Sequence, residues 1–158
     1  MTAEKGRVMD PEIILPESLG RLAWSQFQRA LDVFALGTLE AVSPTTTGNL
    51  NQNAFLRTSM GEFVFRGAPT HPWQFPKEQF FADLIARHTP VRTPWPYHYH
   101  PATDIFDWPF AIMPRLEGFE LNSLQPAKER GSEEWRDVAR AQAIALGDLH
   151  SATFERPG

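Results

Sequence analysis

Arg66 and Glu78 are the two residues of this chain whose types and spacing suggest joint chemistry. Arg66 closes the run Phe63-Val64-Phe65-Arg66, and Glu78 stands in the first turns of the helical pattern that follows. Arginine is a permanent cation whose planar fork can reach two oxygens of one phosphate. A carboxylate on the next element would hold that fork in a single rotamer. A strand cation followed by a helix carboxylate is an arrangement able to hold phosphate groups. An ordinary surface Arg and Glu would show the same residue types, so the surrounding elements have to decide.

Other chemistry-bearing residues are more scattered. Gly48 and Asn51 sit in the polar loop Pro44-Thr45-Thr46-Thr47-Gly48-Asn49-Leu50-Asn51-Gln52-Asn53. They could cradle an anion, but this is not a Walker loop and a polar turn reads equally well. His98 and His100 alternate on a predicted strand and could present two metal ligands, yet no third ligand accompanies them. A solvated or packed pair is the simpler reading. Asp148 belongs to Leu146-Gly147-Asp148-Leu149-His150, inside a helical pattern, where a surface carboxylate on a packing helix is the simpler reading. Cysteine is absent, which excludes a disulfide, a thiolate nucleophile and a Cys-ligated zinc, and fits a reducing compartment.

The elements that must position Arg66 and Glu78 follow from periodicity. Asn53 to Gly67 reads as a β-hairpin turning at Met60-Gly61, where glycine can take a positive φ. Period two sends Phe63 and Phe65 to one face and Val64 and Arg66 to the other. The spacing predicts a helix from about Gln74 to His88, with Pro76 in its first turn and Phe80, Phe81, Leu84 and Ile85 as its buried stripe. Upstream, residues 1–17 read as a loose arm with Ile13, Ile14 and Leu15 docking. Ser18 is the expected N-cap of an amphipathic helix running through Leu19, Leu22, Phe27, Leu31 and Phe34 and closed by Gly37. Thr38 to Val42 reads as a short strand. Downstream, Pro90, Pro94, Pro96 and Pro101 divide the chain into edge strands and turns. Asp107 to Gly118 contains a buried strand that stops at Pro114. Ser132 is the expected cap of a last helix whose apolar side is Trp135, Val138, Ala139, Ala143, Leu146 and Leu149.

At 158 residues the chain is one domain, or one lobe of something larger, and its 42% apolar share allows a core with little to spare. A net charge of −4 without any basic block gives no support for nucleic-acid binding. No apolar run approaches the roughly 20 residues of a membrane span, and the polar N-terminus lacks a signal-peptide core. A cytoplasmic location is expected. Antiparallel strands with an inserted helix indicate an α+β fold rather than βαβ winding.

Four features in order resemble the N-terminal lobe of the aminoglycoside phosphotransferase family, kinase-like enzymes that phosphorylate small molecules. They are the loop and strand from Gly48 to Leu56, the run Phe63-Val64-Phe65-Arg66, Lys77-Glu78 opening the next helix, and the segment Trp108 to Gly118. The closing Ala145-Leu146-Gly147-Asp148-Leu149-His150 is similar to the end of the first helix of the family's large lobe. The resemblance spans roughly residues 35–155.

What the resemblance implies is specific. The fold would be a kinase-like small lobe, an antiparallel sheet of about five strands with a packed helix, plus the first helix of a truncated large lobe. Residues 1–37 would be an arm and amphipathic helix, 38–118 the nucleotide-binding lobe, and 119–158 a connector with that first helix. ATP would be the nucleotide. Arg66 would grip its phosphates and Glu78 would hold Arg66 in place. Val64 would roof the adenine, and after Met113 the Pro114 carbonyl and the Leu116 N–H would bond it. Gly48 and Asn51 would cradle phosphate. The family's catalytic loop, HGDxxxxN, and its magnesium-binding Asp are not found in this sequence. In the nearest lookalike, Leu146 stands for the His and Thr153 for the Asn. The implied function is therefore ATP binding within a small-molecule kinase that transfers phosphoryl to a hydroxyl acceptor, with no catalysis by these residues alone. The alternative is a non-enzymatic interaction or regulatory module derived from such a lobe. A homo-oligomer or a separate large lobe is an expected partner.

Overall fold

The computed structural model describes residues 10–15, 19–45, 53–118 and 131–152. Strands β1 (Glu12–Ile14) and β2 (Arg21–Ala23) pair antiparallel and lead into helix α1 (Trp24–Val33). Then come β3 (Leu39–Pro44), β4 (Asn53–Thr58), β5 (Gly61–Arg66), helix α2 (Gln74–His88), β6 (His98–His100), β7 (Phe110–Pro114) and helix α3 (Ser132–His150). The main sheet has five strands in the order β3-β4-β5-β7-β6, and every neighbouring pair is antiparallel. This is the expected α+β architecture of a kinase-like small lobe.

The β4–β5 hairpin shows why the sheet has two different faces. In register, Phe65 lies opposite Ala54, and Phe63 opposite Leu56. All four are buried, whereas Phe55, Val64 and Arg66 alternate to the other side. On the first face α1 closes a core built on Phe27, Phe65, Phe106 and Phe110, each at most 2% exposed. Phe27 meets Phe65 edge-on at 5.0 Å between ring centroids, and Phe106 stacks flat on Trp108 at 4.7 Å. Both are favourable arrangements for rings with a negative face and positive edge. On the second face α2 packs Phe75 and Ala82 against Tyr97, Ala111 and Met113, with Val64 beside them.

Three expectations for the helices need correcting. First, α1 begins at Trp24 because residues 21–23 pair with β1 instead. Asp10 accepts from the Ser25 N–H at 3.1 Å and from its hydroxyl, and Gln26 Oε1 accepts the Ala23 N–H at 2.9 Å. Asp10 thus satisfies a donor of the first turn from outside the helix, while Gln26 reaches back from within it to the cap residue. Ser18 lies outside the described residues. The C-terminus also differs: Leu36 N–H bonds Leu31 O and Ala35 N–H bonds Asp32 O, the two bonds of a Schellman ending. Its left-handed residue is Ala35, at φ 54°, rather than Gly37.

Second, α2 has the expected bounds but turns a different stripe inward. Phe80 and Phe81 are 55% and 40% exposed, while Leu84 and Ile85 are only half-buried. The inward stripe is Phe75, Glu78, Gln79 and Ala82, spaced three and four residues apart. Two of these are polar, so hydrophobicity alone points the helix the wrong way. Third, Ser132 is the first helical residue of α3 and Gly131 takes the cap position without a side-chain bond. None of the residues of α3 is buried; Trp135, Val138 and Leu149 of its expected apolar side are only half-buried.

Candidate functional site

Arg66 ends β5, opposite Ala111 of β7 on one side and Asn53 of β4 on the other. Its alternation sends the side chain to the face that α2 covers. Glu78 lies in the second turn of α2, on that helix's inward stripe. Arg66 Nη1 meets Glu78 Oε2 at 2.8 Å, and the two side chains are 23% and 29% exposed. At this depth water screens the pair less than it would on the surface, and its short charge-assisted bond fixes the Arg66 rotamer.

Two further residues hold the carboxylate. The Tyr97 hydroxyl donates to Glu78 Oε2 at 2.6 Å, and Gln74 Nε2 donates to Glu78 Oε1 at 3.3 Å. Burial pushes the Tyr97 phenol well above its ordinary range, and the Glu78 carboxylate beside it adds to that shift. Tyr97 therefore stays neutral and remains a donor. Gln79 Nε2 donates to the Tyr97 carbonyl at 3.1 Å, which ties the proline-rich segment before β6 to α2. The Phe75 ring lies 5.8 Å from the Arg66 guanidinium carbon. Sequence reading missed Tyr97 and Gln74. The Pro96-Tyr97 step carries no motif, although Gln74 precedes Glu78 by one helical turn, a spacing that lets two polar side chains meet.

A cavity of about 510 Å³ opens beside this cluster. Arg66, Lys77 and Glu78 contribute charge to it, while Met113, Ala82 and Ile85 contribute apolar wall. The size and the mixture of apolar wall with a few convergent polar groups suit a small organic anion. Val64 lies opposite Met113 in the β5–β7 register, on the Arg66 face. Pro114 ends β7, and Arg115 N–H continues the ladder to Glu62 O at 3.0 Å. Leu116, at 42% exposed, follows beyond the end of the strand. The Arg115 guanidinium lies 4.0 Å above the Phe55 ring and bonds Glu62 Oε2 at 3.0 Å, so this end of the sheet face is also ordered. The structure thus brings Arg66, Glu78, Val64 and Met113 to one face, with Pro114 and Leu116 at its edge. Gly48 and Asn51 lie outside the described residues.

The other sequence candidates sit elsewhere. His98 stacks on Phe34 at 4.9 Å, and burial lowers its pKa. His100 Nε2 pairs with Asp104 Oδ1 at 2.8 Å, and that bond lowers the Asp104 pKa. No group of three or more His, Cys, Asp or Glu among the described residues could hold a metal ion. Asp148 lies within α3, on continuous helical backbone. No helix among the described residues is long and apolar enough to cross a membrane.

A model described as the phosphotransferase enzyme family matches residues 41–157, from β3 through α3. A search of curated proteins returns no match.

Proposed function

The chain belongs to the phosphotransferase enzyme family, and from that premise we propose that its five-stranded lobe binds ATP for phosphoryl transfer to a hydroxyl acceptor. The observation that carries this reading is the Arg66–Glu78 pair, half-buried on the sheet face and bordering the cavity. Arg66 would grip phosphate oxygens, while Glu78, held by Tyr97 and Gln74, keeps it aimed. Val64 would lie over the adenine with Met113 behind it. The Pro114 carbonyl survives the loss of that residue's N–H and would accept from the base, and the Leu116 N–H would donate to it. Gly48 and Asn51 would lie against the phosphates from the β3–β4 loop.

Magnesium normally shares the phosphates' charge in this chemistry. Among the described residues no group of three or more His, Cys, Asp or Glu could hold a metal ion. The sequence His-Gly-Asp is also absent from the 158 residues. The proposed role is therefore nucleotide binding and phosphate positioning, with the carboxylate that activates the acceptor supplied from outside these residues.

Calorimetric titration with ATP, comparing the wild type with Arg66→Ala, tests the reading. Saturable binding that weakens at least tenfold in the variant is expected, the loss of a charge-assisted contact. Identical behaviour of the two proteins removes Arg66 from the site. Absence of binding by the wild type would favour the interaction-module reading.

A further inference from the structure

Helix α2 turns Phe75, Glu78, Gln79 and Ala82 toward the sheet, and its opposite side is open and partly apolar. Phe80 is 55% and Phe81 40% exposed, with their rings edge-on at 5.5 Å between centroids. At about 3.6 residues per turn, Leu84 lies one turn beyond Phe80, and His88 one turn beyond Leu84. Trp73, 58% exposed, stands two turns before Phe80 on the same side. A hollow of about 270 Å³ runs along this side, lined by Phe80, Asp83, Leu84, Arg87 and His88. Apolar residues scattered singly over a surface need no partner, but aromatic rings gathered along one helix side mark an interaction surface.

The charges beside this stripe decide which partner fits it. Asp83 and Arg87 stand one turn apart on the same flank and do not pair with each other. Asp83 Oδ1 accepts from Trp95 Nε1 at 2.9 Å, which leaves Oδ2 for another donor. Arg87 takes part in none of the ion pairs among the described residues. A flank that reads acid and then base, one turn apart, is complementary to its own reverse. Two copies of α2 laid antiparallel put each Asp83 against Arg87 of the other copy. Laid parallel, they put like charges together, Asp83 by Asp83 and Arg87 by Arg87, which is disfavoured.

We propose that this side of α2 is the interface of a homodimer, in which two copies of the chain pack antiparallel about a two-fold axis near Leu84. Leu84 then meets its own copy, and Phe80 enters the hollow beside His88 of the second copy. Two Asp83–Arg87 pairs close the flank, one from each direction. Trp95, 48% exposed and bonded to Asp83, adds apolar surface at the rim. One helix side is a small interface, so the dimer forms in a concentration-dependent equilibrium with the monomer. Glu78 points to the sheet from the other side of α2, so the contact and the Arg66–Glu78 pair use different faces of one helix.

Sedimentation velocity on the 158-residue protein, between about 1 and 100 µM, tests the dimer. The variants are Phe80→Glu, Asp83→Arg, Arg87→Asp and, on the exposed side of α3, Leu146→Glu. All four positions lie on the surface of a helix, and circular dichroism of each variant checks the fold. Wild type should pass from monomer to dimer as concentration rises. Phe80→Glu should weaken the association at least about tenfold, because the change enters the interface twice. Leu146→Glu should leave it unchanged. Asp83→Arg alone and Arg87→Asp alone should stay monomeric, since each sets like charges against each other. An equimolar mixture of those two variants should dimerise again, because every facing pair is then opposite in sign. A wild type that stays monomeric throughout overturns the proposal and leaves this side of α2 to another partner. A dimer that survives Phe80→Glu, or one lost only in Leu146→Glu, overturns it by moving the contact elsewhere. Single charge variants that still dimerise, or a mixture that stays monomeric, overturn the antiparallel pairing on which it stands.

Discussion

The Tyr97 hydroxyl donates to Glu78 Oε2 at 2.6 Å, the same oxygen that Arg66 Nη1 reaches at 2.8 Å. One carboxylate oxygen therefore joins a strand, a helix and the segment before β6. Tyr97→Phe removes the donor and keeps the ring. A hydrogen bond to a charged group contributes about 1.5–3 kcal/mol, so the urea midpoint should fall by a corresponding amount. The pH dependence should change too. Burial and then Glu78 raise the phenol's pKa in the folded state, so ionisation favours the unfolded chain. The stabilisation is fully present below the unfolded value of about 10 and is lost as pH rises above it. Wild type should lose stability between about pH 10 and 11 faster than Tyr97→Phe. Parallel curves would show that Tyr97 is ionised in the folded protein.

Gly67 follows Arg66 directly and sets where the strand ends. A Cβ added there would fall on the Trp108 ring at Cζ3 and Cη2, and 2.8 Å from Leu19 Cδ2. Trp108 is itself stacked on Phe106, so the ring cannot simply retreat. Overpacking of this kind costs about 1–3 kcal/mol. Gly67→Ala should lower the thermal midpoint and weaken ATP binding together, because the displaced strand end carries Arg66. A variant as stable as wild type would mean that the Trp108 side of the core repacks.

The legible parts of this fold are those where local pattern and tertiary packing agree. Phe63, Val64, Phe65 and Arg66 alternate as strand residues should, and both faces are in fact used. Asn53 to Gly67 could therefore be read as a hairpin, and Arg66 assigned to its face, from the sequence. The α2 stripe was not legible, because Glu78 and Gln79 point inward. Their partners, Arg66, Tyr97 and the Tyr97 carbonyl, come from distant positions. The β1–β2 pair was missed for a similar reason. Leu19, Leu22 and Ala23 fit a helical period, but pairing with Glu12–Ile14 takes residues 21–23 into a strand. Asn53 looked like the end of a polar loop until the register set it opposite Arg66.

His98 gives the acid limb of the stability curve a test. Its ring stacks on Phe34, and burial lowers its pKa. The unfolded chain, with an ordinary value of about 6.5, then takes up the proton first. Stability from the neutral ring is present above that pH and declines as pH falls below it. His98→Phe preserves the stack and removes the titration. Its thermal midpoint should drop less than that of wild type between about pH 7.5 and pH 5.5. An equal drop would assign the acid loss to other groups.

The 158 residues should not transfer phosphate on their own. Transfer requires the phosphates held, their charge shared by a metal, and a carboxylate beside the attacking hydroxyl. On the proposed reading Arg66, aimed by Glu78 and Tyr97, would meet the first requirement. Asp148 is the carboxylate that most resembles a catalytic one by sequence, between Gly147 and Leu149. It lies inside α3, where the backbone is helical through His150. A carboxylate on a continuous helix has no loop to bring it over a bound nucleotide. Positioning and charge stabilisation supply most of the acceleration in this chemistry, so without them no useful rate remains. The measurement is ATP turnover with a panel of sugar, amino-alcohol and aminoglycoside hydroxyl acceptors, for wild type and Asp148→Asn. Both should equal the protein-free background. Acceptor-dependent turnover that vanishes in Asp148→Asn would mean that the helix end opens into a working catalytic loop.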